Sequence, residues 1–202
     1  MNMEANLKRL VEFWFEVGML KKTPRSGYQF LGTGKENVAE HCFRTAIIGF
    51  TLGRLAKVDA YKVALLCLFH DLAEARCGDF NYVNKIYNTA NEKQAIEDAL
   101  YGTGLEEEIK EFIEELERGL TLEAALAHDA DQLDLILNLK EQLDLGNKYA
   151  QKWIDCAIKR LQTEQGKELA KYIQETDHTN WWFRCQDTSW WEKKHISKKH
   201  DF

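Results

Sequence analysis

The chain has 202 residues, of which 45% are hydrophobic and 30% charged, and its formal net charge is −6. That composition supports a folded core in one domain and excludes the disordered and membrane-embedded classes. The acidic balance argues against a surface for nucleic-acid polymers, while a local basic pocket remains compatible with one phosphate.

No apolar stretch approaches the length of a bilayer span, and the opening MNMEANLKRLVEFWFEVG carries charges throughout. It lacks the basic-then-apolar order of a secretory leader, so no membrane partner is expected. The five cysteines, at 42, 67, 77, 156 and 185, are odd in number and form no CxxC. Reduced thiols in a cytoplasmic protein are the simplest expectation.

In chain order, Leu7, Leu10, Val11 and Trp14 mark a first amphipathic helix that ends near Gly18. A loop, KKTPRSGYQFLGTGKEN, holds the only proline, Pro24. Asn37 with Glu40 three residues on forms a capping pair that opens a second helix. Ala60 to Ala75 reads as one strongly apolar helix stopping around Gly78, and further helical patterns cover about 90–101, 105–118, 121–145 and 147–175. No alternating strand pattern is sustained anywhere. The expectation is an all-α globular domain over 1–175, with a Trp-rich extension at 176–202 whose two Trp pairs pack back on the domain or across a dimer before a frayed end.

The chemistry concentrates in LLCLFHDLAEARCGDF, residues 65–80. On a continuous helix His70 and Glu74 share a face, and Asp71 reaches the same side. Polar groups at the end of so apolar a run need hydrogen-bond partners or a cation. ENVAEHCFRTAIIGF adds His41, and LAHDADQLDLIL adds His128, Asp129, Asp131 and Asp134. A lone histidine on an apolar face is ordinarily a satisfied core residue, and a lone helical aspartate is ordinarily solvated. Jointly, two imidazoles and two carboxylates from three helices make a mixed N/O donor set suited to a divalent transition ion.

The ordered set His41, His70-Asp71 and Asp131 resembles the HD-domain metal-dependent phosphohydrolase superfamily. PRSGY, ENVAEH, HDLAEARCGD and DADQL narrow the resemblance to the YfbR-like 5′-deoxynucleotidases, over roughly residues 7–165. The resemblance implies a single HD-domain helical bundle with His41, His70, Asp71 and Asp131 as metal ligands. It implies Glu74 as the carboxylate serving the attacking water or a second metal, and Asp79 as a catalytic and substrate-binding residue at the nucleotide and metal site. Arg25 matches an arginine that orients the phosphate, and Tyr28 falls near an aromatic that contacts sugar or base. Relatives often place a proline after the Gly-Asp turn, whereas this chain reads GDFNYVNK, which leaves the nucleoside-facing wall open.

The implied activity is metal-dependent hydrolysis of (deoxy)nucleoside 5′-monophosphates to nucleoside and phosphate, with a preference for deoxyribonucleotides. Relatives are commonly dimers, and the amphipathic helical faces beyond the site, especially around 147–175, are the expected place for two copies to pair. Imidazole and carboxylate ligands admit Mn, Co, Fe, Ni or Zn, with Mg less natural. Two other readings stay open at this point: another HD-type phosphohydrolase acting on phosphodiesters or nucleoside triphosphates, and a non-catalytic nucleotide-binding regulatory domain. His128 belongs to no motif, and His178, His195 and His200 fall in the tail.

Overall fold

The computed structural model describes residues 3–183, so the part of the Trp-rich extension from 184 onward, with His195 and His200, lies outside the described residues. The chain forms α1 (Met3–Val17), a 3-10 turn (Gly18–Lys21), α2 (Tyr28–Leu31), α3 (Val38–Ala56), α4 (Ala60–Phe69) and α5 (Glu74–Cys77). It continues with α6 (Tyr82–Tyr87), α7 (Glu92–Leu100), α8 (Glu106–Arg118), α9 (Leu122–Asp144), α10 (Ala150–Ile158) and α11 (Glu164–Glu175). The all-α expectation holds: the described residues contain no strand, only an isolated bridge between Pro24 and Asn37.

α9 is the central element, packed by α3, α4, α10 and α11. It buries Leu126, Ala130, Leu133, Ile136 and Leu139, and also Asp129 and Asp134, because nearly every face meets another helix. Leu52, Val63, Leu66 and Ile154 complete this main core. A second cluster gathers Phe13, Leu20, Val38, Leu72, Ile96, Leu100 and Ile109 from α1, the 3-10 turn, α3, the segment before α5, α7 and α8.

α3 opens as the sequence predicts: the Asn37 side chain accepts from the Glu40 amide, and the Glu40 carboxylate accepts from the Asn37 amide. The apolar helix expected over Ala60 to Ala75 is corrected, because α4 stops at Phe69. His70 Nδ1 bonds the Cys67 carbonyl at 2.7 Å, a group that a continuing helix would bond through the Asp71 amide. The following bonds close from i+3 to i, Leu72 to Phe69 and Glu74 to Asp71. His70 and Asp71 therefore lie on a tight turn between the two cores. The pattern over 147–175 is likewise two helices, because Thr163 caps a new start.

Candidate metal centre

Three segments bring the predicted ligands together. His41 lies one turn into α3, wholly buried. His70 and Asp71 come from the turn after α4, and Asp131 from α9. His41 Nε2 is 3.1 Å from His70 Nε2, 3.1 Å from Asp131 Oδ1 and 3.7 Å from Asp71 Oδ2. His70 Nε2 is 3.2 Å from the same Asp71 oxygen. Donor atoms of His41, His70 and Asp71 all fall within 4.8 Å of one another.

The far nitrogens are already committed. His41 Nδ1 meets Asp134 Oδ2 at 2.6 Å, and His70 Nδ1 meets the Cys67 carbonyl. With both Nδ1–H groups donating outward, two Nε2 lone pairs face each other and repel unless a proton or a cation stands between them. The residues present therefore fit a divalent ion: two neutral imidazoles, two carboxylates and a cleft on one side. Burial opposes the charged forms, yet in the ion-free protein hydrogen bonds donated to Asp131 and Asp134 raise His41, and Asp71 raises His70. Against the same burial, His70 and Arg25 hold Asp71 down to about 2, and His41 and His70 hold Asp131 low.

Asp134 is the residue that sequence reasoning left without a role. Fully buried, it accepts from Arg44 Nε through Oδ1 while Oδ2 holds His41, and Asn138 approaches at 3.3 Å. Arg44 also reaches Glu141 at 3.1 Å. Gln132 does similar work for Asp131, donating to Oδ2 at 2.7 Å and so leaving Oδ1 toward His41. Both residues stand in DADQLDLIL, but only the packing of α3 on α9 reveals what they touch.

Arg25 reaches the site because Pro24 pairs with Asn37 and the Arg25 amide bonds the Glu36 carbonyl at 3.0 Å, tying the loop to the start of α3. Its guanidinium lies 3.2 Å from Asp71 and 3.9 Å from Asp131. Gly78, at φ 74, turns the chain where a Cβ would strain it. Asp79 then accepts from the Ser26 amide, joining the Gly-Asp turn to the arginine loop. Glu74 faces the same cleft, and one of its carboxylate oxygens is buried without a partner. Burial first, then Asp71 and Asp79, pushes Glu74 up to about 8. Tyr28 lines the cleft as well. His128 does not join the site; it pairs with Asp129 at 3.3 Å. His178 pairs with Asp144 at the far end of α9.

The HD domain family matches residues 17–175, and the chain belongs to it. Within that family the chain is 32% identical over 144 residues to the 5′-deoxynucleotidase HDDC2 of Xenopus laevis, covering 68% of this chain and 71% of the relative. The 5′-deoxynucleotidase HDDC2 of Danio rerio is 30% identical over 148 residues, covering 70% and 74%. Among solved structures, a conserved hypothetical protein from Pyrococcus furiosus has a TM-score of 0.68 at 26% identity, covering 82% of this chain and 99% of its own.

Proposed function

We propose that the chain is a metal-dependent 5′-deoxynucleotidase, hydrolysing deoxynucleoside 5′-monophosphates to nucleoside and phosphate. The supporting observation is the meeting of two Nε2 lone pairs and two carboxylates at 3.1–3.7 Å, with Arg25 beside them at the head of a cleft. The 5′-deoxynucleotidase names of the relatives point the same way.

His41, His70, Asp71 and Asp131 hold the ion, which when bound supplies positive charge for the phosphoryl oxygens and acidifies water. Mn, Co, Fe, Ni or Zn suits this donor set better than Mg. Arg25 offers a planar fork of donors to the phosphate. Its pairing with Asp71 keeps it aimed into the cleft, and Asp79 fixes its loop through Ser26. Glu74, whose proton affinity is raised by burial, takes the proton of the attacking water.

We further propose a homodimer in the cytoplasm, with residues 1–175 as the catalytic domain and 176–202 as an extension. Phe43, Ile47 and Phe50 on α3, with Leu65 and Leu68 on α4, leave an apolar strip in solvent. Tyr149 and Tyr172 are exposed within 147–175 as well, and light scattering reads the association. The free thiols of Cys42, Cys67, Cys77 and Cys156 suit a reducing compartment. No described helix is long and apolar enough to cross a membrane.

The test is phosphate release from nucleoside 5′-monophosphates, with and without the 2′-hydroxyl, across a panel of divalent ions. Turnover of deoxynucleotides is expected; release from phosphodiesters or triphosphates alone contradicts the reading.

A further inference from the structure

The cleft is lined by charges of both signs. Around Arg25 it carries Asp71, Glu74, Asp79 and Asp131, with Glu36 also within reach of the arginine's charge. The lining residues from α6, α10 and the segment after α10, namely Tyr82, Lys85, Trp153 and Arg160, include no acidic one. The Arg160 guanidinium lies over the Tyr82 ring, 5.3 Å from its centroid. It makes no hydrogen bond or ion pair among the described residues, and its Nε is buried without a partner. Lys85 likewise makes no ion pair among the described residues.

An arginine partly withdrawn from water with no acceptor is held at a cost, which an acceptor brought by a ligand offsets. Burial alone already disfavours its charged form. The phosphate end of a nucleotide has its partners at Arg25 and the carboxylates it pairs with, and no charged neighbour acts on Arg160, so the ligand group assigned to Arg160 is the nucleobase. The surroundings suit a flat ring: Trp153, Tyr82 and Leu135 form aromatic and apolar walls.

Building on the nucleotidase reading, we propose that Arg160, with Lys85 lining the same cleft, forms a nucleobase subsite that selects bases with an oxo group at C6 or C4, guanine, thymine and uracil, over adenine. Guanidinium and ammonium groups only donate. Guanine offers them O6 and N7, and thymine and uracil offer O4. Adenine offers its amino group, another donor, beside N7. An unpaired arginine thus gains a bidentate partner from guanine and meets a repelling donor on adenine. Size does not enter the comparison, because both purines fill the slot equally.

The experiment compares kcat/KM for dGMP and dAMP in the full chain loaded with Mn. A preference for dGMP of about tenfold or more is expected, shrinking toward parity in Arg160→Gln. Arg160→Lys, which keeps the charge but loses the fork, should fall between them. Damage to the fold would lower both substrates alike, so the ratio isolates base reading. A parent ratio near one, or a ratio that Arg160→Gln leaves intact, overturns the proposal. So does a stronger preference for a nucleoside 3′,5′-bisphosphate that vanishes in Arg160→Gln, which would assign the cations to a second phosphate. If no nucleotide releases phosphate with any ion, the nucleotidase reading falls. The subsite is then judged by calorimetry, where tighter binding of deoxyguanosine than deoxyadenosine supports it and equal binding overturns it.

Discussion

Both ring nitrogens of His41 are engaged, Nε2 toward the candidate ion and Nδ1 toward Asp134. A neutral amide at position 134 would weaken the orienting hydrogen bond and set an N–H donor against either His41 or Arg44. Asp134→Asn should therefore lower Mn affinity about 10–100-fold, read by calorimetry, with helix content unchanged. Affinity equal to the parent would remove Asp134 from the site. Glu74 should behave differently, since it faces the cleft without being needed to hold the ion. Glu74→Gln should keep metal affinity and lower kcat about 10²–10⁴-fold. The carboxylate form is the one that accepts a proton, so the parent rate climbs as pH rises through the Glu74 pKa. The variant should lose that climb, and a pH–rate profile still rising in Glu74→Gln would assign the base elsewhere. The candidate ligand quartet was legible in the sequence as an ordered set, whereas the contacts of Asp134 and Gln132 and the proposed role of Arg160 were not. Each of these acts on a group from another helix, and spacing along one helix is silent about such neighbours.

α3 and α4 pack closely because glycine faces alanine where they cross. A Cβ on Gly53 would stand 2.7 Å from the Ala60 Cα, a backbone atom with little freedom to retreat. Gly53→Ala gains about 0.5–1 kcal/mol of helix propensity but overpacks the crossing at about 1–3 kcal/mol, so net destabilisation is expected. A raised midpoint in urea unfolding would contradict that. α11 is tied to α9 by Asp129, which accepts from the Gln162 amide, the Thr163 amide and the Thr163 hydroxyl at 2.6–2.8 Å. Burial pushes the Asp129 carboxyl up, but hydrogen bonds from His128, Thr163 and Gln162 bring it below its ordinary value. The resulting stability is present above the unfolded carboxylate pKa, roughly 3.9, and is lost as pH falls through the lower folded value. Asp129→Asn should cost about 1–3 kcal/mol near neutrality and flatten the acid decline in stability. An undiminished acid decline with neutral stability unchanged would contradict this. The α11 start had a sequence signal in Thr163, an N-cap residue within the 147–175 pattern. The break at His70 had none, because VALLCLFHDLAEA keeps its apolar periodicity while the His70 ring takes the carbonyl that would have carried the helix on.

Across the molecule, the apolar helical patterns made an all-α bundle legible, since most of them fold where the periodicity placed them. The cleft was not legible, because it forms where four separate stretches meet: the arginine loop, the turn after α4, the Gly-Asp segment with α6, and the α9–α10 face. The net charge of −6 hides the cations Arg25, Lys85 and Arg160 that line the cleft beside its carboxylates. The account requires that His41, His70, Asp71 and Asp131 act as one metal-binding unit. The direct measurement is phosphate release from a deoxynucleoside monophosphate by chelator-treated protein, before and after a divalent ion is returned, for the parent and Asp71→Ala. The account predicts no release before addition, recovery in the parent, and neither recovery nor ion binding in Asp71→Ala. Full turnover by the chelator-treated parent, or ion-dependent recovery in Asp71→Ala, would contradict it.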